Sequence, residues 1–280
     1  MGARRSRCPE RLCLRGPAWK WLLVGVSIVV LAGCGSQEVE KTHWQSLAGP
    51  TARFVTSFAR DLRDPETLYA GMLNGGLLVS TDGGANWQPF GEDWAPRDDY
   101  FRRGEPETGL DVQAIVPAGN DYLYIATLGD YVHAHHPDMD WLQIGAGLGS
   151  PNARELAVGG GERETLYVGT EKGVWAMPSL HEGGTKWRSA GAWWEQLGIK
   201  AESAKSVQAL FASDDVVPRL YVGTKAGFYR SLDDGETWQE PAAGIGREHN
   251  VVGLAIDPED LDHLVATIFD PEVLYVSHDG

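Results

Sequence analysis

Cysteine is scarce in this chain. Three occur in 280 residues, at positions 8, 13 and 34. From residue 35 onward no internal disulfide can form, so the fold must rest on packing and strand pairing, which a body of about 245 residues can supply. An amphipathic 3.6-residue period is also absent after residue 35, which excludes a helical body. Positive charge is in deficit, with 24 Lys and Arg against 39 Asp and Glu and a formal charge of −15. Such a surface repels phosphate backbones, so nucleic acid is not an expected partner.

What is present first is a leader. Arg4, Arg5, Arg7, Arg11, Arg15 and Lys20 precede an apolar run from Trp21 to Leu31, too short for a transmembrane span. The run ends in Leu31-Ala32-Gly33-Cys34, which resembles the bacterial lipobox. That resemblance implies a signal peptide over 1–33, lipidation of Cys34, and a polar tether over 34–41. Removal of the leader takes six basic residues and one acidic residue, Glu10, leaving a formal charge of about −20. Membrane attachment is then expected through the lipid and not through a basic patch. The expected location is the periplasmic or outer face of a bacterial membrane.

Residues 42–280 are repetitive. Ser80-Thr81-Asp82-Gly83-Gly84-Ala85-Asn86-Trp87 returns as Ser231-Leu232-Asp233-Asp234-Gly235-Glu236-Thr237-Trp238. Both copies read Ser-x-Asp-x-Gly-x-x-Trp and follow a strand-like phrase, Leu68-Tyr69-Ala70-Gly71 or Leu220-Tyr221-Val222-Gly223-Thr224. Ser and Asp two apart can accept backbone N–H bonds and close a hairpin, Gly84 and Gly235 can supply a positive φ, and Trp87 and Trp238 can carry apolar area into the core. Each of these jobs is structural. The phrase recurs at Tyr69, Tyr124, Tyr167, Tyr221 and, weakly, Leu264, with spacings of 55, 43, 54 and 43 residues. An earlier apolar strand is expected before each, over 53–58, 112–116, 154–158, 207–211 and Val251–Ile256, and a Trp strand after, at Trp87, Trp141, Trp187 or Trp194, and Trp238.

These matches resemble the Asp-box (BNR) repeat of sialidases, sortilin-type receptors, xyloglucanases and photosystem II assembly factors. The resemblance implies a propeller with the box on an outer hairpin away from the central channel, and the period-two alternation and the five units make it all-β with about five recognisable blades. Unit two holds His135-His136-Pro137-Asp138-Met139-Asp140-Trp141 in place of the box, and unit three holds 180–187. A half-box, with Ser277 and Asp279, begins unit five. His43-Trp44-Gln45-Ser46-Leu47 reads as an orphan outer strand. Either it completes the last blade and closes the ring, or the five units belong to a six- or seven-blade ring.

Catalytic signals are sparse. The Arg-containing Phe-Arg-Ile-Pro phrase of sialidases has no counterpart, since Arg53-Phe54-Val55-Thr56 stands in that region. No carboxylate pair is singled out for glycoside hydrolysis. His133 and His135 are a weak metal-ligand pair on one strand face, with a solvated hairpin as the plainer reading. The insertion over 90–111 combines charge with Trp94, Tyr100, Phe101, Arg102 and Arg103, and so is either an interface loop or a plain surface loop. Trp193 is a second binding candidate beside Trp194. The sequence therefore predicts a lipid-anchored, cofactor-free binding or assembly scaffold with a protein or glycan partner. The alternative is a sialidase- or xyloglucanase-like glycoside hydrolase.

Overall fold

The computed structural model describes residues 54–91, 110–180, 195–197 and 206–280, apart from 74, 120, 162–163, 179 and 241–243. Cys34, the leader, the tether, Trp44, the aromatic and basic residues at 94–103, and Trp193 lie outside these residues. Eighteen strands and no α-helix occur among the described residues. They form five antiparallel sheets in chain order, each wound outward by hairpins. Sheet one holds β1 (Val55–Arg60), β2 (Leu68–Met72), β3 (Gly76–Ser80) and β4 (Gln88–Pro89). Sheet two holds β5 (Asp111–Pro117), β6 (Leu123–Leu128), β7 (Val132–His136) and β8 (Met139–Gln143). Sheet three holds β9 (Ala153–Gly159), β10 (Thr165–Thr170), β11 (Gly173–Pro178) and β12 (Glu195–Leu197). Sheets four and five have three strands each: β13 (Val207–Ala212), β14 (Leu220–Thr224), β15 (Gly227–Ser231), then β16 (Val251–Ile256), β17 (Leu264–Ile268), β18 (Val273–Ser277).

The first strand of each sheet packs on the first strand of the next, β1 on β5, β5 on β9, β9 on β13 and β13 on β16. First strands in mutual contact are the hub of a wheel, and the later strands are its rim. The expected blades are thus observed. The register is the same in all five. Leu68 pairs with Ser80, Leu123 with His135, Leu166 with Met177, Leu220 with Ser231 and Leu264 with Ser277. Leu264 therefore aligns with the Leu of the phrase, and Val265 takes the place of Tyr in blade five. The outer strand of blade three follows Trp194 and not Trp187, since β12 begins at Glu195.

The cores lie between blades. One buried cluster joins blades one and two through Tyr69, Leu77, Val112 and Ile125. Others join two to three, three to four, and four to five. Each fully buried Leu, Val or Tyr in these seams contributes on the order of 1.5–3 kcal/mol.

A size rule runs through the seams. A Cβ built on Gly71 would meet Val112, on Gly169 would meet Val207, and on Gly223 would meet Val251, each with a side-chain carbon within 2.7 Å. The Gly of the phrase is a seat for the Val at the first or second position of the next blade's first strand, termed its opening residue. At the seam between two and three the matching residues are Ala126 and Ala153, both fully buried in one cluster. A bulge one residue on from each opening residue recurs in all five first strands.

Among the described residues, the outward faces of blades one and five are open. Phe54 and Phe58 are exposed beside the half-buried Val55, as are Leu274 and Val276 on β18. No packing of comparable extent joins β16–β18 to β1–β4 among the described residues. At the seat position of blade five stands Thr267, not Gly or Ala.

Candidate functional site: a cavity at the first seam

The repeated turns are built as their residues predict. In the first, Gly84 N–H donates to Ser80 Oγ at 2.9 Å and Asn86 N–H to Asp82 Oδ1 at 2.9 Å, while the Ser80 hydroxyl donates to Asp82 Oδ1 at 2.8 Å. In the second, Gly235 N–H donates to Ser231 Oγ at 2.8 Å and Thr237 N–H to Asp233 Oδ1 at 2.8 Å. Gly84 and Gly235 have φ of 93° and 84°. The third begins likewise, with the Ser277 hydroxyl donating to Asp279 Oδ1 at 3.1 Å. Hydrogen bonds from Asn86 hold the Asp82 carboxyl down at about 2, and those from Thr237 lower Asp233. Both carboxylates are consumed by their own hairpins.

In blades two, three and four the Tyr of the phrase seals a seam with its hydroxyl. Tyr124 accepts from Leu180 N–H of blade three at 2.8 Å. Tyr167 donates to Asp234 Oδ1 of blade four at 2.5 Å, and Tyr221 to the Leu261 carbonyl of blade five at 2.9 Å. Tyr69 departs from this pattern. Its hydroxyl turns to Asp61 Oδ2 of its own blade at 3.3 Å. Where its partner from blade two would stand there is a cavity of about 230 Å³.

The cause lies in the hairpin of blade two. His135 occupies the register position of Ser80 and Ser231, and it reaches Trp141 in six residues where the intact turns take seven to reach Trp87 and Trp238. Its ring packs on Phe90 at 4.9 Å and Trp141 at 5.0 Å. Asp138 is left pointing to solvent, its side chain 91% exposed. The hairpin seals nothing over Tyr69, and Pro137 lines the cavity instead.

The other walls come from Phe90, Tyr122, Leu123 and the turns carrying Asp61, Arg63 and Asp121. Asp61 Oδ1 accepts the N–H groups of Arg63 and Asp64 at 2.9 and 3.0 Å. Arg63 pairs with Asp121 at the rim. Gly119 N–H donates to Glu164 of blade three at 2.9 Å, which fixes the cavity floor from the neighbouring blade. Burial and the adjacent Asp61 push the Tyr69 hydroxyl up to about 12, so it is a proton donor. Burial likewise lowers the pKa of His135.

Of the weak metal candidates, the His133 ring nitrogen lies 2.8 Å from the Asp130 carbonyl and 3.1 Å from its carboxylate, while the His135 ring sits in an aromatic cluster. No group of three His, Cys, Asp or Glu suited to a metal occurs among the described residues. The tip of the hairpin is solvated, with Pro137 and Asp138 exposed, while His135 at its base packs against Phe90 of blade one. The cavity itself escaped sequence reasoning, although the shortened hairpin was its visible trace.

No protein-family profile matches the chain, and no curated protein matches it. Solved structures do. YCF48 from Cyanidioschyzon merolae is similar over 80% of this chain and 67% of its own, with a TM-score of 0.54 at 14% identity. The GH74 xyloglucanase from Xanthomonas campestris is similar over 80% of this chain, with a TM-score of 0.51 at 17% identity. The chain spans only 35% of that enzyme's length. The β-propeller domain of Myceliophteria thermophila Cps50 (Swd1) aligns over 80% of this chain and 70% of its own, with a TM-score of 0.55 at 10% identity. At such identities the likeness concerns architecture alone. With the hub-and-rim arrangement of five sheets it identifies the described residues as blades of a β-propeller.

Proposed function

We propose that this protein is an exported, lipid-anchored propeller that binds a partner at a membrane surface and does not turn over a substrate. The observation that carries this reading is the employment of its reactive groups. Asp82 and Asp233 close their own turns, and Tyr167 and Tyr221 bridge seams. A hydrolase needs two carboxylates free to face a substrate. In this reading the repeated turns are Asp-boxes that hold the blades, Cys34 carries the lipid, and the segment with Trp94, Tyr100, Phe101, Arg102 and Arg103, together with Trp193, meets the partner.

The anchor is tested by metabolic labelling with an alkyne fatty acid. Label on the wild type and none on Cys34→Ala, with release of the variant from membranes, is the expected result. Crosslinking in membranes should trap one specific protein, lost when residues 92–109 are replaced by a Gly/Ser linker. Turnover of any member of a broad glycoside panel by the purified protein would overturn the non-catalytic reading.

A further inference from the structure

The geometry at the first seam points to a ligand. We propose that the cavity between blades one and two binds a small organic ammonium group, either a free amine or quaternary amine or the end of a larger molecule. Three seams place a group from the next blade on the Tyr hydroxyl, and this one leaves the place to a cavity. The opening results from a hairpin one residue shorter, not from loose packing, because His135 and Phe90 are in close ring contact at its wall.

The lining selects the charge of the occupant. Two carboxylates, Asp61 and Asp121, stand against one guanidinium, and Arg63 is already paired with Asp121. Asp61 lines the cavity, and its Oδ2 accepts from the Tyr69 hydroxyl at 3.3 Å, longer than a normal O–H···O bond, which leaves capacity for a further donor. Phe90, Tyr69 and Tyr122 supply aromatic surface, which attracts cations through the negative faces of the rings. An anion would meet Asp61 without a free cation to balance it. The volume is below the usual range for a drug-sized ligand, about 300–1,000 Å³, and suits a single headgroup. The proposal is argued from neither Cys34 nor residues 92–109, so its failure would leave the scaffold reading untouched.

Titration calorimetry and ligand-observed NMR on the full-length protein test the proposal, with tetramethylammonium and n-butylammonium as probes and tert-butanol, acetate and methyl glucoside as controls. The expected result is saturable binding of the ammonium ions, with a Kd on the order of 1 mM for so small a ligand, and at least tenfold weaker binding of every control. Asp61→Asn and Tyr122→Leu should each weaken binding about tenfold, while Tyr221→Phe, at a sealed seam, should leave it unchanged. Because Asp61 also supports its own turn, Tyr69→Phe serves as a milder variant that keeps the ring, and its thermal midpoint reports folding separately. Equal binding of the controls, preferential binding of methyl glucoside or acetate, or no saturable binding of either ammonium probe by folded protein would overturn the proposal.

Discussion

Asp82 and Tyr167 show how single side chains serve this fold by different means. Asp82 is exposed, and its carboxylate matters because Asn86 and Ser80 donate to it. Its folded pKa of about 2 lies below the ordinary 3.8, so the carboxylate's contribution is complete above pH 4 and is lost as pH falls from about 4 to about 2. Asp82→Asn should flatten the acid limb of stability in that window, measured as denaturation midpoint against pH. Tyr167 is fully buried and donates to a carboxylate across a seam. Tyr167→Phe leaves Asp234 without that donor and should cost roughly 1.5–3 kcal/mol in urea unfolding. The two residues look equally repetitive in sequence. The turn around Asp82 was legible because its partners lie within four residues. The bond from Tyr167 was not, because its partner is 67 residues away and only the winding of the blades brings it near. The cavity over Tyr69 was hidden for the same reason.

At the scale of the element, the opening residue of one blade and the seat of the blade before it form a matched pair. Gly223→Ala would drive a Cβ against Val251 and should destabilise by roughly 1–3 kcal/mol. Val251→Ala in the same chain should recover part of that loss, since Ala126 and Ala153 show that an Ala–Ala seam packs. A double-mutant cycle by thermal or urea unfolding measures the coupling, and additive losses would count against the pairing. Strand β9 carries a different tension. Burial pushes Glu155 up to about 8, with Arg154 only partly opposing. A raised carboxyl favours the folded state while protonated, so stability should fall as pH rises from about 4.5 to about 8 and then level off. Glu155→Gln should abolish that slope.

For the whole molecule, the sequence period of 43 to 55 residues located the five described blades, because each unit is one meander whose strands are consecutive. It could not say how the first and last blades relate, since seam chemistry is written in single residues and not in the period. The open faces supply that information. Val55 needs a small seat, and blade five offers the β-branched Thr267. Direct closure of blade five onto blade one would set two branched side chains against each other where three seams use Gly. A Val55→Cys, Thr267→Cys protein should therefore form no 55–267 disulfide under oxidation, read by non-reducing peptide mapping. A quantitative crosslink would show that the five blades close directly.

The seats also give the blades an order that cannot be shuffled. Excising blade two would bring Gly71 against Ala153 and leave a hole. Excising blade three would bring Ala126 against Val207 and force a collision. Blade four could be lost with Gly169 meeting Val251 as it met Val207. Although the units share one plan, loss of a blade would fit at one joint and be penalised at others, by the width of a single methyl group.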